Sequence, residues 1–276
     1  MKILISGNDL LLEDARNFAL DQTLDCGQAF RWQELEENTW QGVAFGKYLK
    51  ISKKGNTVTF HNTSEEDFYA IWRDYFDLER DYGQIIEIIS ENDVLKTASS
   101  FADGIRILRQ DPWEALCSFI ISQNNNIPRI KGIVERLCEN FGNKISDGIY
   151  SFPSAEKLSG LSLDDLAILR SGFRAKYILD AARKVHSGEI DLISLKTCDI
   201  DTARDNLMKI YGVGAKVADC TLLFGLGHIE AFPKDVWIKR AMEKLFDGSL
   251  PKCAENYAGI AQQYIFHYAR MTKLDI

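Results

Sequence analysis

The sequence predicts an α+β fold, in which an antiparallel sheet comes first along the chain and a larger, mainly helical region follows. Up to about residue 62 apolar residues alternate with polar ones, as Leu49, Ile51, Val58 and Phe60 do, which is the period of a half-buried strand. From Ser64 onward the apolar residues recur at helical spacing, starting with SEEDFYAIWRDY. With 276 residues, 46% of them hydrophobic, the chain can bury a sizeable core without disulfide or metal support.

Four strand-like segments precede the helices, namely AFRWQEL, TWQGVAFG, KYLKIS and TVTFHN. The last two are separated by KKGN, which is typical of a hairpin turn. We therefore expect a twisted antiparallel sheet with flanking helices over residues 1–102 and a helical domain over residues 103–276.

Several helix ends in the second region can be read directly. DPWEALCSFII begins with Asp111 as N-cap and Pro112 at the first helical position, and IPRIKGIVERLCENFG ends at Gly142. The SQNNN connection between them is either a tight turn or a polar functional loop. Phe173, between Arg170 and Arg174, either folds back onto the core or inserts into a base stack.

Residues 203–226 are expected to form a helix, a hairpin and a second helix, with YGVG as the turn. Gly212 and Gly214 would let bare N–H groups approach a phosphate at a helix N-terminus, although such turns also serve as simple connectors. Lys216 follows in the first turn, where the helix dipole, together with desolvation if the site is buried, would favour a neutral, nucleophilic amine. The alternative is a solvent-facing lysine. Downstream, Asp235 is a natural N-cap, and its carboxylate is expected to stay ionised and to stabilise a nearby cation.

The distribution of charged residues limits the kinds of partner that the protein can bind. The net charge is -7, but residues 1–100 hold 10 Lys plus Arg against 18 Asp plus Glu, while residues 101–276 hold 23 against 22. A local phosphate-binding face is therefore compatible with the acidic total. No signal peptide or membrane span is recognisable, and the six cysteines have no metal-ligand spacing. We expect an intracellular protein with reduced thiols, in the cytoplasm or nucleoid if the source is prokaryotic.

Four motifs occur in the order CGQAFRW, FIISQNNNIPRIKGIVERLCENFG, GVGAKVADC and FPKDVW. Together they resemble the 8-oxoguanine DNA glycosylase/AP lyase family of the helix-hairpin-helix glycosylase superfamily, from about residue 20 to about residue 270. The resemblance implies a sheet domain packed on a helical domain that carries the active site. It implies no cofactor and no metal.

The resemblance also implies a role for each matched residue. Lys216 would attack the sugar C1′ of a flipped nucleotide and Asp235 would stabilise the developing cation. In the base pocket, Gln262 would bind the Watson–Crick edge, Phe266 and Cys220 would cover the two faces, and the carbonyl of Gly27 would accept the N7 hydrogen that distinguishes 8-oxoguanine from guanine.

On the opposite strand, the resemblance implies that Asn124 fills the gap left by the flipped base, that Arg129 and Arg174 read the orphaned cytosine, and that Phe173 acts as a wedge. The DNA backbone would be held at the hairpin, by Gly212, Gly214 and Val217.

Three positions depart from the family pattern: Trp237 replaces a phosphate-binding histidine, Lys234 replaces a small apolar residue, and Phe173 replaces a tyrosine. They bear on phosphate contacts and on the strictness of opposite-base choice.

The expected activity is therefore excision of 8-oxoguanine from duplex DNA, opposite cytosine, followed by β-elimination, by a monomer that does not bind membranes. Three alternatives remain: a non-catalytic helix-hairpin-helix module, a glycosylase for a different damaged base, and a Schiff-base enzyme acting on small carbonyl compounds.

Overall fold

The computed structural model describes residues 1–273, so the last three residues of the expected helical domain lie outside the described residues. A six-stranded antiparallel sheet is built by the first 61 residues in the spatial order β1-β2-β6-β5-β4-β3. Its strands are β1 (Lys2–Ser6), β2 (Asp9–Glu13), β3 (Trp32–Glu36), β4 (Thr39–Ala44), β5 (Lys47–Lys54) and β6 (Thr57–His61).

The alternating residues of β5 and β6 point into the core, as the sequence predicts. Leu49, Ile51, Val58 and Phe60 are fully buried, and Ile51 lies directly opposite Phe60 across the pair. The sequence predicts no strand before residue 29, because β1 is an edge strand that is mostly exposed and because DLLLE in β2 lacks a polar–apolar alternation.

The rest of the chain is mainly helical. Its helices, preceded by the short α1 (Leu20–Leu24), are α2 (Glu65–Asp67), α3 (Arg73–Tyr75), α4 (Tyr82–Ile89), α5 (Asp93–Phe101), α6 (Pro112–Ser122), α7 (Ile127–Phe141), α8 (Ala155–Ser159), α9 (Arg174–His186), α10 (Ile200–Met208), α11 (Ala215–Thr221), α12 (Val236–Leu245) and α13 (Ala258–Thr272). π-Helical turns cover Phe68–Trp72 and Leu222–Leu226, and 3₁₀ turns cover Asp165–Leu169, Ser194–Lys196 and Lys252–Tyr257.

The predicted helix starts are confirmed. The side chains of Ser64, Asp111 and Asp235 each accept a hydrogen bond from a backbone N–H of the first turn. The mainly helical region after residue 64 is confirmed, and it contains one hairpin that the sequence does not predict, formed by β7 (Lys144–Ser146) and β8 (Ile149–Tyr150) after α7. These short, exposed strands contain too few residues to show a period of two.

Two hydrophobic cores lie side by side. The sheet packs against the helix over residues 65–75, whereas α4 and α5 pack into the core of the helical region. The boundary at residues 102/103 stays a prediction. None of the helices within residues 1–273 is long and apolar enough to cross a membrane.

A buried ion pair joins the two regions. Arg31, just before β3, lies 3.6 Å from the carboxylate of Glu114 in α6 and also donates to the carbonyl of Tyr150 in β8. Burial raises the pKa of Glu114 to about 7, although the charge of Arg31 opposes this shift. The contact fixes the segment after Gly27 against the helical region.

Candidate active site

One cavity of about 710 Å³ brings together five of the residues that the sequence singles out. Its walls include Gly27, Asn124, Lys216, Asp235 and Phe266. They come from five separate places in the chain: the loop after α1, the α6–α7 connection, the start of α11, the cap of α12 and the middle of α13.

Lys216 lies half-buried in the first turn of α11. Its Nζ donates to the hydroxyl of Ser122, 3.1 Å away, and lies 5.3 Å from the centre of the Phe119 ring. Because the Ser122 hydroxyl itself donates to the Phe119 carbonyl, its oxygen lone pairs face the amine. The solvent-facing alternative for Lys216 does not describe this structure.

Ser122 was not identified as a site residue from the sequence. It is the last residue of α6 and the first of SQNNN, so attention to polar residues where a buried helix meets that loop could have found it. The hydrogen bond from Lys216 to the Ser122 hydroxyl holds the amine in one position at the cavity wall.

Asp235 caps α12 by accepting from the N–H of Ile238 at 2.8 Å. Burial raises its pKa, while that hydrogen bond and the positive charge of Lys216 act in the opposite direction. The sequence predicts only the effect of the helix terminus, which lowers the pKa of Asp235. It does not predict the opposing effect of burial, because burial depends on tertiary contacts. Asp235 and Lys216 thus lie in the wall of the same cavity, close enough for their charges to interact.

Gly27 has φ +83°, in the region that favours glycine. A Cβ at this position would lie 3.5 Å from Ile127 and 3.6 Å from the ring of Phe266. No hydrogen bond within residues 1–273 uses the Gly27 carbonyl as acceptor. The carbonyl is therefore available to a ligand beside the Phe266 ring.

The neighbouring residue, Gln28, holds this backbone in place. Its buried amide donates to the carbonyls of Thr23 and Arg106, at 2.8 Å each, and accepts from the N–H of Leu108 at 2.9 Å. A side chain with all these bonds satisfied makes the position of the Gly27 carbonyl rigid.

Cys220 and Gln262 are buried and are not among the residues that form the cavity wall. Cys220 lies beside Lys216, and burial raises the pKa of its thiol to about 11, so the thiol is protonated at neutral pH. Gln262 donates to the carbonyl of Pro233 at 3.1 Å and accepts from the amide of Gln263 at 3.0 Å.

The expected opposite-strand residues surround the α6–α7 loop. Asn124 has φ +48°, which asparagine tolerates in a tight turn. Arg174 is buried and donates to the carbonyls of Gln123, Ser171 and Asn124. This guanidinium therefore braces the asparagine loop from within the protein.

Two other members of the set are exposed. Arg129 lies in the first turn of α7, and Phe173 is 46% exposed with its ring 4.5 Å from the guanidinium of Arg174. Phe173 is thus not folded away into the core, and the ring is stiffened by stacking on Arg174.

The hairpin follows α10 and has the predicted form. Gly212 has φ +79°, and a Cβ there would lie 2.5 Å from the ring of Tyr177, so only glycine fits. Gly214 is exposed, and within the described residues no hydrogen bond uses its N–H or that of Gly212. The N–H of Val217 instead donates to the Gly214 carbonyl at 3.0 Å.

Cationic side chains line the mouth of the cavity. Lys234, Lys239 and Arg270 belong to its wall, as does Trp237. Lys239 and Arg270 were not predicted from the sequence as site residues. Arg270 could have been, because it follows Phe266 by one helical turn and lies on the same face of the helix. A cavity with a cationic rim suits a polyanionic ligand.

Comparisons with known proteins agree with this geometry. Residues 10–116 match the family model described as 8-oxoguanine DNA glycosylase, N-terminal domain, and residues 117–253 match the HhH-GPD superfamily of base excision DNA repair proteins. The crystal structure of Clostridium acetobutylicum 8-oxoguanine glycosylase/lyase, in complex with double-stranded DNA containing cytosine opposite 8-oxoG, superimposes with a TM-score of 0.93 at 40% identity, covering 99% of each chain.

Two curated relatives are also similar. The probable N-glycosylase/DNA lyase of Methanothermobacter thermautotrophicus is 32% identical over 72% of this chain and 74% of that protein. The N-glycosylase/DNA lyase of Saccharomyces cerevisiae is 42% identical over 54% of this chain, and the match spans only 44% of the yeast protein. This chain belongs to the 8-oxoguanine DNA glycosylase family, within the HhH-GPD superfamily of base excision DNA repair proteins.

Proposed function

We propose that this protein is a bifunctional DNA glycosylase/AP lyase, which excises 8-oxoguanine from duplex DNA and then cleaves the strand at the resulting abasic site. The observation that carries the proposal is the placement of Lys216 and Asp235 on one cavity with Gly27 and Phe266. An amine, a carboxylate, an unused carbonyl and an aromatic face are the groups that this reaction needs.

In the first step Lys216 gives up the proton that makes it cationic beside Asp235, and its nitrogen then forms a bond to C1′ of the extruded nucleotide. The C1′–N9 bond breaks, and its electron pair leaves with the base, which then takes up a proton. Asp235 stabilises the positive charge that develops on the sugar. One Nζ proton passes to the departing base. The nitrogen lone pair then forms a C=N bond to C1′ as the C1′–O4′ bond breaks, O4′ takes up a proton from water, and the product is an iminium ion between Nζ and C1′.

The iminium acidifies the C2′ proton. Loss of that proton moves electrons toward C3′, and the C3′–O bond breaks with the phosphate as leaving group. Extrusion of the nucleotide is required because C1′ and the glycosidic bond are shielded inside the duplex.

Base selection would use the two sides of the pocket. The Gly27 carbonyl would accept the N7 hydrogen of 8-oxoguanine, which guanine lacks, while Phe266 stacks on the purine. Gln262 would bind the Watson–Crick edge and Cys220 would cover the face opposite Phe266. Gln262 is buried and is not part of the cavity wall in this structure. The cavity would therefore have to widen when the base enters, so that the base can reach the Gln262 amide.

On the complementary strand, we propose that Asn124, Arg129 and Phe173 occupy the gap and contact the orphaned cytosine. Arg174 would act there through a different arrangement of its side chain, or chiefly by bracing Asn124 as it does in this structure. The N–H groups of Gly212 and Gly214 would bind a phosphate. Val217, whose side chain is buried and whose N–H is bonded to the Gly214 carbonyl, would instead hold the turn in shape. We further propose that the protein acts as a monomer inside the cell.

The deciding experiment is borohydride trapping on a duplex with a single 8-oxoguanine opposite cytosine. Borohydride reduces the iminium to a stable amine, so wild type should give a covalent protein–DNA adduct and Lys216→Gln should give none. Lys244→Gln is the matched control, because Lys244 is exposed near the end of α12 and is not part of the cavity wall.

The alternatives give different results. A non-catalytic module would bind DNA without base release or adduct. A glycosylase for another damaged base would release that base and leave 8-oxoguanine intact. A small-carbonyl enzyme would form adducts with aldehydes, but its activity would show none of the steep salt dependence expected of phosphate-directed binding.

A further inference from the structure

The amide of Gln262 has a defined polarity, and its neighbours determine it. The Pro233 carbonyl can only accept a hydrogen bond, so the atom of Gln262 that lies 3.1 Å from it must be the nitrogen. The oxygen of that amide then faces Gln263, whose own nitrogen donates to it at 3.0 Å.

This pair of contacts leaves Gln262 with one unused N–H and one unused oxygen lone pair, and their order is fixed. With its nitrogen on the side of the 6-position of the extruded purine, such a donor–acceptor pair complements a guanine-type Watson–Crick edge, which presents the O6 acceptor beside the N1–H donor. An adenine-type edge presents the N6 donor beside the N1 acceptor, and it would require the amide to be turned over.

The orientation is costly for the protein to keep. The oxygen of Gln263 is buried and has no hydrogen-bond partner among residues 1–273, which lowers stability. A methionine would fill a similar volume without that cost. The benefit of a glutamine at this position is therefore the hydrogen bond that its nitrogen gives to Gln262.

We propose that Gln263 is a positioning residue that locks the amide of Gln262 in one orientation and thereby makes the pocket prefer guanine-type over adenine-type oxidised purines. The inference rests on the proposed function, because it assumes that Gln262 binds the Watson–Crick edge of the extruded base. Pro233, two residues before Asp235, provides the fixed end of the lock.

The test compares 8-oxoguanine with 8-oxoadenine, each placed once in the same duplex opposite cytosine. Both bases carry the N7 hydrogen and the C8 oxygen, so the Gly27 contact is shared and only the Watson–Crick side differs within the pocket. The two bases also pair differently with cytosine, but that difference is the same for every protein variant and cancels when the excision ratios of the variants are compared. A third duplex carries a preformed abasic site, where borohydride trapping needs Lys216 but no base recognition. Single-turnover rates are measured for wild type, Gln263→Met and Gln263→Glu.

We expect Gln263→Met to lower the 8-oxoguanine rate by about 2- to 10-fold, as loss of one hydrogen bond should, and to narrow the ratio of 8-oxoguanine to 8-oxoadenine excision. Abasic-site trapping should not change. Gln263→Glu should lower the 8-oxoguanine rate more, because a carboxylate cannot donate and competes with Pro233 for the N–H groups of Gln262. Gln263→Met decides the outcome if the glutamate variant fails to fold.

Tyr264→Phe is the matched control, since it removes a neighbouring buried hydroxyl that also has no partner among the described residues. The inference is overturned if Gln263→Met leaves the excision ratio at the control value, or if it lowers abasic-site trapping as much as excision. Failure of wild type to release 8-oxoguanine would instead overturn the proposed function, and the inference with it.

Discussion

Replacement of Gly27 by alanine tests the proposed base pocket at a position where the backbone favours glycine. An L-residue at φ +83° costs about 1–2 kcal/mol of backbone strain. The added methyl group would lie 3.5 Å from Ile127 and 3.6 Å from Phe266, which is ordinary van der Waals contact. We therefore expect the variant to fold, with a loss of about 1–2 kcal/mol in the free energy of unfolding.

The effect on catalysis should be larger and selective. The methyl group would occupy space beside the Phe266 ring, where the base is proposed to bind, and would displace the Gly27 carbonyl from the N7 hydrogen. Loss of one buried hydrogen bond costs about 1–3 kcal/mol, which corresponds to roughly 5- to 150-fold in the rate of excision. Lys216 and Asp235 lie on other elements, so chemistry at an abasic site should be preserved.

The assay is single-turnover release of 8-oxoguanine, compared with borohydride trapping on a preformed abasic site and with the melting temperature. Gly27→Ala should lose excision while it keeps trapping. Excision at the wild-type rate by folded Gly27→Ala would refute the carbonyl readout, and so would equal affinity of the wild-type pocket for damaged and undamaged guanine.

Three further substitutions probe charge and shape. Asp235→Asn keeps a side chain that can cap the helix but should lower the excision rate by about 10²–10³-fold. The excision rate of wild type should fall as the pH drops through the raised pKa of Asp235. Single-turnover rates measured across pH for both proteins check these two expectations. Because burial raises the pKa of Glu114 to about 7, the folded state holds this proton more tightly than the unfolded chain, so unfolding free energy should decrease as pH rises toward 7. Glu114→Gln should abolish that decrease in denaturant titrations. Gly212→Ala places a Cβ 2.5 Å from the Tyr177 ring and should weaken both stability and DNA affinity in melting and binding titrations.

Strand alternation and helix caps predicted most of the fold, because both depend on residues that are close together in the sequence. The alternation in β5 and β6 and the caps at Ser64 and Asp111 depend on neighbouring residues, and the structure confirms them. The hairpin of β1 and β2 was missed because its burial arises from contact with β6. The placement of α4 and α5 in the helical core likewise depends on contacts between distant segments.

The candidate site was predictable in its residue types and less so in its contacts. The glycine hairpin and the capping aspartate pointed to Lys216 and Asp235, and the structure brings both to one cavity. The hydroxyl of Ser122 on the amine is a contact across 94 residues of sequence, and no local pattern carries it. The same holds for burial, which outweighs the helix terminus in setting the pKa of Asp235.

The loop of Gly27, the proposed reader of the base, lies between the two cores, whereas Lys216, the proposed nucleophile, belongs to the helical region. The loop is tied through Gln28 to Arg106 and to Leu108 of the sheet core, while Cys26 and Phe30, on either side of Gly27, belong to the helical core. Lys216, in contrast, is held by Ser122 within the helical region. A shift of one core against the other would strain this loop and change the distance between the Gly27 carbonyl and the Lys216 amine, so the proposed discrimination of the damaged base requires firm packing between the cores.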